Sequence, residues 1–66
     1  MNAGKSLREL LHRREVKNLE FAAAVHITPT YVCRLIKTEK WGADMLCKTA
    51  EFFNMSVSEF IEIGED

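Results

Sequence analysis

Proline occurs once in this 66-residue chain, glycine three times and cysteine twice. So little Gly and Pro excludes a collagenous or low-complexity chain, and no repeat of solenoid length is present. Two thiols, Cys33 and Cys47, are too few for a disulfide framework. Each falls where a helix would bury a small apolar residue, so both are expected as reduced core thiols. His12 and His26 complete no ligand spacing with them, so neither a metal nor a cofactor is expected. No apolar run approaches the ~20 residues that a bilayer crossing requires. The opening MNAGKSLREL lacks the apolar stretch of a signal peptide, so no membrane partner and a cytoplasmic location are expected. No nucleophile–base set or phosphate loop is present either, which argues against an enzyme.

What the chain does have is apolar content, 47% of residues with six aromatics, enough for one modest core in a single domain spanning 1–66. The net charge of −1 hides a split. Residues 1–40 carry eight Lys/Arg against four Glu, a balance of +4, whereas residues 41–66 carry only Lys48 against six acids, a balance of −5. A domain basic at one end and acidic at the other can turn its basic face to phosphate. The plainer alternative is an uneven solvated surface.

The apolar spacing predicts helices throughout. Leu7, Leu10 and Leu11 mark one face of a first helix, followed by Arg13-Arg14 and a core plug at Val16. Asn18 is the expected cap of a second helix, with Glu20 favourable to its dipole and Phe21, Ala22 and Val25 on its inner face. In "FAAAVHITPTYVCRLIK" (21–37) this helix must stop, because Pro29 disfavours helical geometry at Thr28. A third helix restarts at once, with Thr28 as N-cap, Pro29 at the first position, and Val32, Leu35 and Ile36 turned inward. "TEKWG" (38–42) is a polar link ending in the plausible cap Gly42. Trp41 either seals the core beneath it or stands exposed. Ala43, Leu46, Cys47, Ala50 and Phe53 mark a fourth helix, closed by Asn54. Ser56-Val-Ser-Glu59 is a capping box opening a fifth, with Val57, Phe60 and Ile61 inward. The expected fold is all-α, a compact bundle of about five short helices.

Residues 19–37, with Phe21-Ala22 matching a Leu-Ala pair and Val25, Ile27, Val32 and Leu35 matching the other apolar positions, resemble the helix-turn-helix of the lambda-repressor-like family, the Cro and CI type. "LCKTAEFFNMSVSEFI" is similar to that family's downstream segment, so the resemblance covers roughly 5–61. There are departures. His26 stands where the family often has Gly, Pro29 replaces a common Gln, and Lys17-Asn18 replaces a polar cap followed by Gln, which would start helix 2 a residue late. A helix 1 Arg and a helix 3 Glu, paired in many members, become Leu11 and Ile36, which are expected to pack together.

The resemblance implies a helix-turn-helix of helices 2 and 3, with helix 3 in the major groove of duplex DNA. On the matching positions Thr28, Pro29, Thr30 and Arg34 would face base edges, with Cys33 at the margin. Arg34 is the foremost reader, since a guanidinium pairs bidentately with guanine. Asn18, Tyr31, Lys37 and Lys40 would contact phosphate. Phe52, Ile61 and Ile63 are expected to form an exposed apolar patch for a homodimer on a palindromic operator, Phe53 and Phe60 sufficing for the local core. The expected function is a transcriptional regulator of the repressor or controller kind, with RNA polymerase a further partner through an acidic surface. The alternative is an antitoxin or anti-repressor module that keeps the fold without specific DNA binding.

Overall fold

The computed structural model describes residues 1–65, which fold into five helices with no strand among them: α1 (Ala3–Arg13), α2 (Asn18–Ala24), α3 (Pro29–Lys37), α4 (Ala43–Phe52) and α5 (Val57–Ile63). Three of them start on a side-chain cap. Asn2 Oδ1 accepts from Lys5 N–H (3.0 Å), Thr28 Oγ1 from Tyr31 N–H (3.1 Å) and Ser56 Oγ from Glu59 N–H (3.1 Å), each satisfying a donor that the helix itself cannot. Glu59 Oε1 accepts in return from Ser56 N–H (3.0 Å), completing the box read from the sequence. These bonds from Ser56 hold the exposed Glu59 carboxyl below its ordinary range.

The start of α2 corrects the expectation. Asn18 is its first helical residue and Lys17 the cap, so α2 does not begin late. Glu20 Oε1 accepts from Lys17 N–H at 3.3 Å, but the ammonium has no lone pair with which to return the bond. Glu20 fixes the helix start that Asn18 was expected to fix.

Three helices end alike. Glu15 (φ 52°), His26 (φ 59°) and Asn54 (φ 57°) adopt the left-handed conformation just past α1, α2 and α4. The next residue then donates back into the helix: Val16 to Leu11 O (2.9 Å), Ile27 to Ala22 O (2.9 Å), Met55 to Ala50 O (3.0 Å). This is the Schellman arrangement, and its trailing apolar residue packs half-buried against the core each time.

The core gathers one face of every helix. Leu7, Leu10 and Leu11 of α1 meet Phe21, Ala22, Val32, Leu35, Ala50, Phe53 and Phe60. Leu11 is buried and Ile36 half-buried, both against this core. Trp41 seals the core beneath the 38–42 link, 5.6 Å from Phe60 between ring centres. Its indole N–H is shared between Leu35 O (3.1 Å) and Thr38 O (3.0 Å). Ala3 and Gly4, whose N–H groups have no partner within α1, donate to Glu39 O (2.8 Å) and Thr38 O (3.1 Å). Backbone therefore meets backbone where α1 begins and α3 ends.

Only glycine fits at that junction. A Cβ on Gly4 would collide with Ile36 O and stand 2.7 Å from both Leu35 O and Thr38 O, all of them main-chain atoms that cannot swing aside. Gly4→Ala should cost about 3 kcal/mol or more, at the upper end of overpacking, whereas Gly42→Ser, in open space at the α4 cap, should gain a few tenths of ~1 kcal/mol. Urea midpoints of the two variants check this. A second expectation concerns acid. Because folding lowers the Glu59 pKa, its contribution is present above the ordinary value of 4.5 and is lost as pH falls through the lowered value. Thermal midpoints of wild type and Glu59→Gln should converge as pH falls from neutral through the lowered value.

Candidate nucleic-acid interface

α3 is amphipathic in a way that leaves one face unused by the fold. At 100° per residue, burial of Val32 and Leu35 turns Pro29, Thr30, Cys33, Arg34 and Lys37 away from the core, and all five are exposed. Thr28 is exposed as well, its hydroxyl engaged as cap acceptor while the methyl remains free to contact a ligand. Of the four expected base-facing residues, three lie on or within the first turn of α3 and Arg34 lies one turn further along.

The expected phosphate contacts surround this face. Tyr31, 41% exposed, lines a hollow with Arg34 and Lys40 where α3 meets the 38–42 link. Lys37 is exposed in the last turn of α3, and Asn18 is exposed at the first position of α2. Arg34, Lys37 and Lys40 enter no ion pair among the described residues. By contrast, Arg13 Nε is held by Glu9 Oε1 at 3.1 Å, one turn back on α1. The arrangement offers an uncommitted cationic rim around hydroxyl, methyl and guanidinium groups.

The turn between α2 and α3 sets the position of this face. His26 takes the left-handed conformation, Ile27 N–H returns to Ala22 O, and the chain then reaches Thr28 in an extended conformation (φ −85°, ψ 153°) from which its hydroxyl can cap α3. The four residues 25–28 are the whole link.

Several expectations are corrected here. Cys33 and Cys47 are exposed, not core thiols, and Ala43 is exposed too. The inner face of α4 keeps the expected Ala50, with Leu46 half-buried beside it, and adds Thr49, which was not expected there. Phe52, Ile61 and Ile63 do not form an exposed patch: all three are half-buried against the core. Phe52 stacks edge-on against Phe21 (5.3 Å) and Phe53 (4.8 Å), so the aromatic core is larger than Phe53 and Phe60 alone. The large apolar residue most open to solvent is Leu19 on α2, at 67%. It was not singled out in the sequence, although an apolar side chain among Asn18, Glu20 and Ala23 is a signal.

Comparison with known proteins returned no match to a protein-family model, a curated protein or a solved structure. The geometry of α3 and its surroundings therefore carries the functional reading. Among the described residues no group of three or more metal-ligating side chains converges, and no helix is long and apolar enough to cross a membrane.

The turn needs the left-handed conformation at this position but not the His26 side chain, which makes no hydrogen bond among the described residues. Relief of the left-handed penalty, about 1–2 kcal/mol, outweighs the entropy that glycine adds to the unfolded chain, about 0.5–1 kcal/mol. His26→Gly should therefore raise stability by roughly 0.5–1 kcal/mol in a urea titration, while the turn keeps its shape.

Proposed function

We propose that this protein is a sequence-specific DNA-binding transcriptional regulator, with α2 and α3 acting as a helix-turn-helix and α3 as the recognition helix in the major groove. The carrying observation is the exposed face of α3, where Thr30 and Arg34 stand free of the core, and Arg34 of ion pairs among the described residues, while Val32 and Leu35 on the other face fix the helix. In this reading Arg34 pairs with guanine, Thr28, Pro29 and Thr30 supply hydroxyl or methyl contacts, and Asn18, Tyr31, Lys37 and Lys40 hold phosphate. A dimer would set two copies of α3 about 34 Å apart on successive major grooves. Repression would follow from occupancy of a promoter, and the acidic half of the chain would be the part to meet RNA polymerase.

A second reading has an observation of its own. Leu19, open to solvent on α2, suits a protein partner, as an antitoxin or anti-repressor would require.

Selection of binding sites from a random duplex library, followed by titration with wild type and Arg34→Ala, separates the two. Enrichment of an inverted repeat, with Arg34→Ala losing about 1–3 kcal/mol and its preference at one base pair, is the outcome expected for a regulator. No enrichment would overturn that reading in favour of the protein partner.

A further inference from the structure

The docking of Ala3 and Gly4 onto Thr38 O and Glu39 O carries the first half of α1 alongside the last turn of α3. As a result Lys5 and Arg8 of α1 line one hollow with Ile36 and Lys37 of α3 and with Glu39, three cations to one carboxylate. Arg8 is exposed and enters no ion pair among the described residues. On the other flank of α3, Tyr31, Arg34 and Lys40 line the hollow described above. The free face of α3 thus runs between two cationic hollows, sharing Lys37 with one and Arg34 with the other. A helix seated in a major groove about 12 Å wide has a phosphodiester strand on each side.

We infer that the α1–α3 hollow is a second phosphate-binding surface, in which Arg8 and Lys37 grip one strand of duplex DNA while Tyr31 and Lys40 hold the other. This rests on the DNA-binding reading and adds to it a helix outside α2, α3 and their turn. Charge complementarity selects the occupant, and the planar fork of Arg8 suits two phosphate oxygens. Such a contact positions the protein without reading sequence. Arg13 has the same charge on the same helix but is held by Glu9, which makes it the matched control.

The test uses the duplex selected by the wild-type chain, titrated between 50 and 200 mM salt with wild type, Arg8→Gln, Arg8→Lys and Arg13→Gln, all of unchanged urea midpoint. Arg8→Gln should flatten the slope of log affinity against log salt by about 0.9, so that wild type loses about 3.5-fold more affinity across this range than the variant. Its preference among sequences should be unchanged, Arg8→Lys should restore the slope, and Arg13→Gln should leave it as in wild type. A wild-type slope in Arg8→Gln, or equal flattening in Arg8→Gln and Arg13→Gln, would overturn the inference alone. A wild-type chain that selects no duplex and shows no salt-dependent binding would overturn both this surface and the reading beneath it.

Discussion

The structure depends on how the carbonyls at the end of α3 are satisfied. A helix leaves its last C=O groups without partners, and here they lie where α1 and Trp41 come against α3. Trp41 supplies one N–H to Leu35 O and Thr38 O, Thr38 Oγ1 donates to Arg34 O (2.7 Å), and Gly4 and Ala3 donate to Thr38 O and Glu39 O. The same bonds relieve α1 of two N–H groups that it could not satisfy, so two helix ends solve each other's problem. The positive end of one backbone dipole also meets the negative end of another. Everything nearby follows. Gly4 must lack a side chain, Trp41 must turn its indole N–H to the α3 end, and its ring meets Phe60, which ties α5 to that end. Ser6 is drawn into the interior, its Oγ 3.3 Å from Asn2 O and 3.4 Å from Ile61 O, and the backbone of Gly64 closes on the same spot.

The other recurring device is the left-handed residue at the helix ends. Glu15, His26 and Asn54 each accept a conformation that favours glycine, and only Asn54 does so with a side chain suited to it. Each reversal directs the next apolar residue, Val16, Ile27 or Met55, back onto the core, and that contact offsets part of the strain. For a domain of this size, with a stability on the order of 0.05–0.15 kcal/mol per residue, two unfavourable positions out of three are a sizeable fraction of the whole. The fold tolerates them because its helices are short and each of these three links has only four residues in which to turn.

Much of this was legible in the sequence. Thr28-Pro29 and Ser56–Glu59 announce their helices through local chemistry, and local chemistry is what the folded chain uses. The inner faces of α1, α2 and α3 follow from 3–4 spacing. What escaped was decided by tertiary contact. Gly4 inside a helical stretch and Asn2 three residues before Lys5 are signals, yet only the approach of α3 gives Gly4 its meaning. Cys47 sits at the margin of the α4 stripe, one step round the helix from Ala50, and a hydrophobic pattern cannot rank a thiol against Thr49. The structure buries Thr49 completely, its hydroxyl unpartnered among the described residues, and exposes the thiol. Phe52 was legible as aromatic but not as Phe21's neighbour. Of the candidate site, exposure and grouping on α3 could be read from spacing, while the place of Lys5 and Arg8 beside Lys37 could not, because it arises from a contact between residues far apart in the chain.

The consequence for function is a separation of duties along α3. Val32, Leu35 and the carbonyls from Arg34 to Thr38 belong to the fold, and the outward side chains of Pro29, Thr30, Cys33, Arg34 and Lys37 contribute little to it. Recognition chemistry can therefore sit on this helix without the usual conflict with stability, since no buried charge or strained rotamer is asked of it. The orientation of that face is nevertheless rigidly set. It is held at its N-terminal end by the His26 turn and the Thr28 cap, and at its C-terminal end by Gly4 and Trp41. In the proposed reading, a backbone fixed at both ends has little order left to lose on binding, while the free side chains still give up rotamer freedom, and the flanking charges supply much of the affinity.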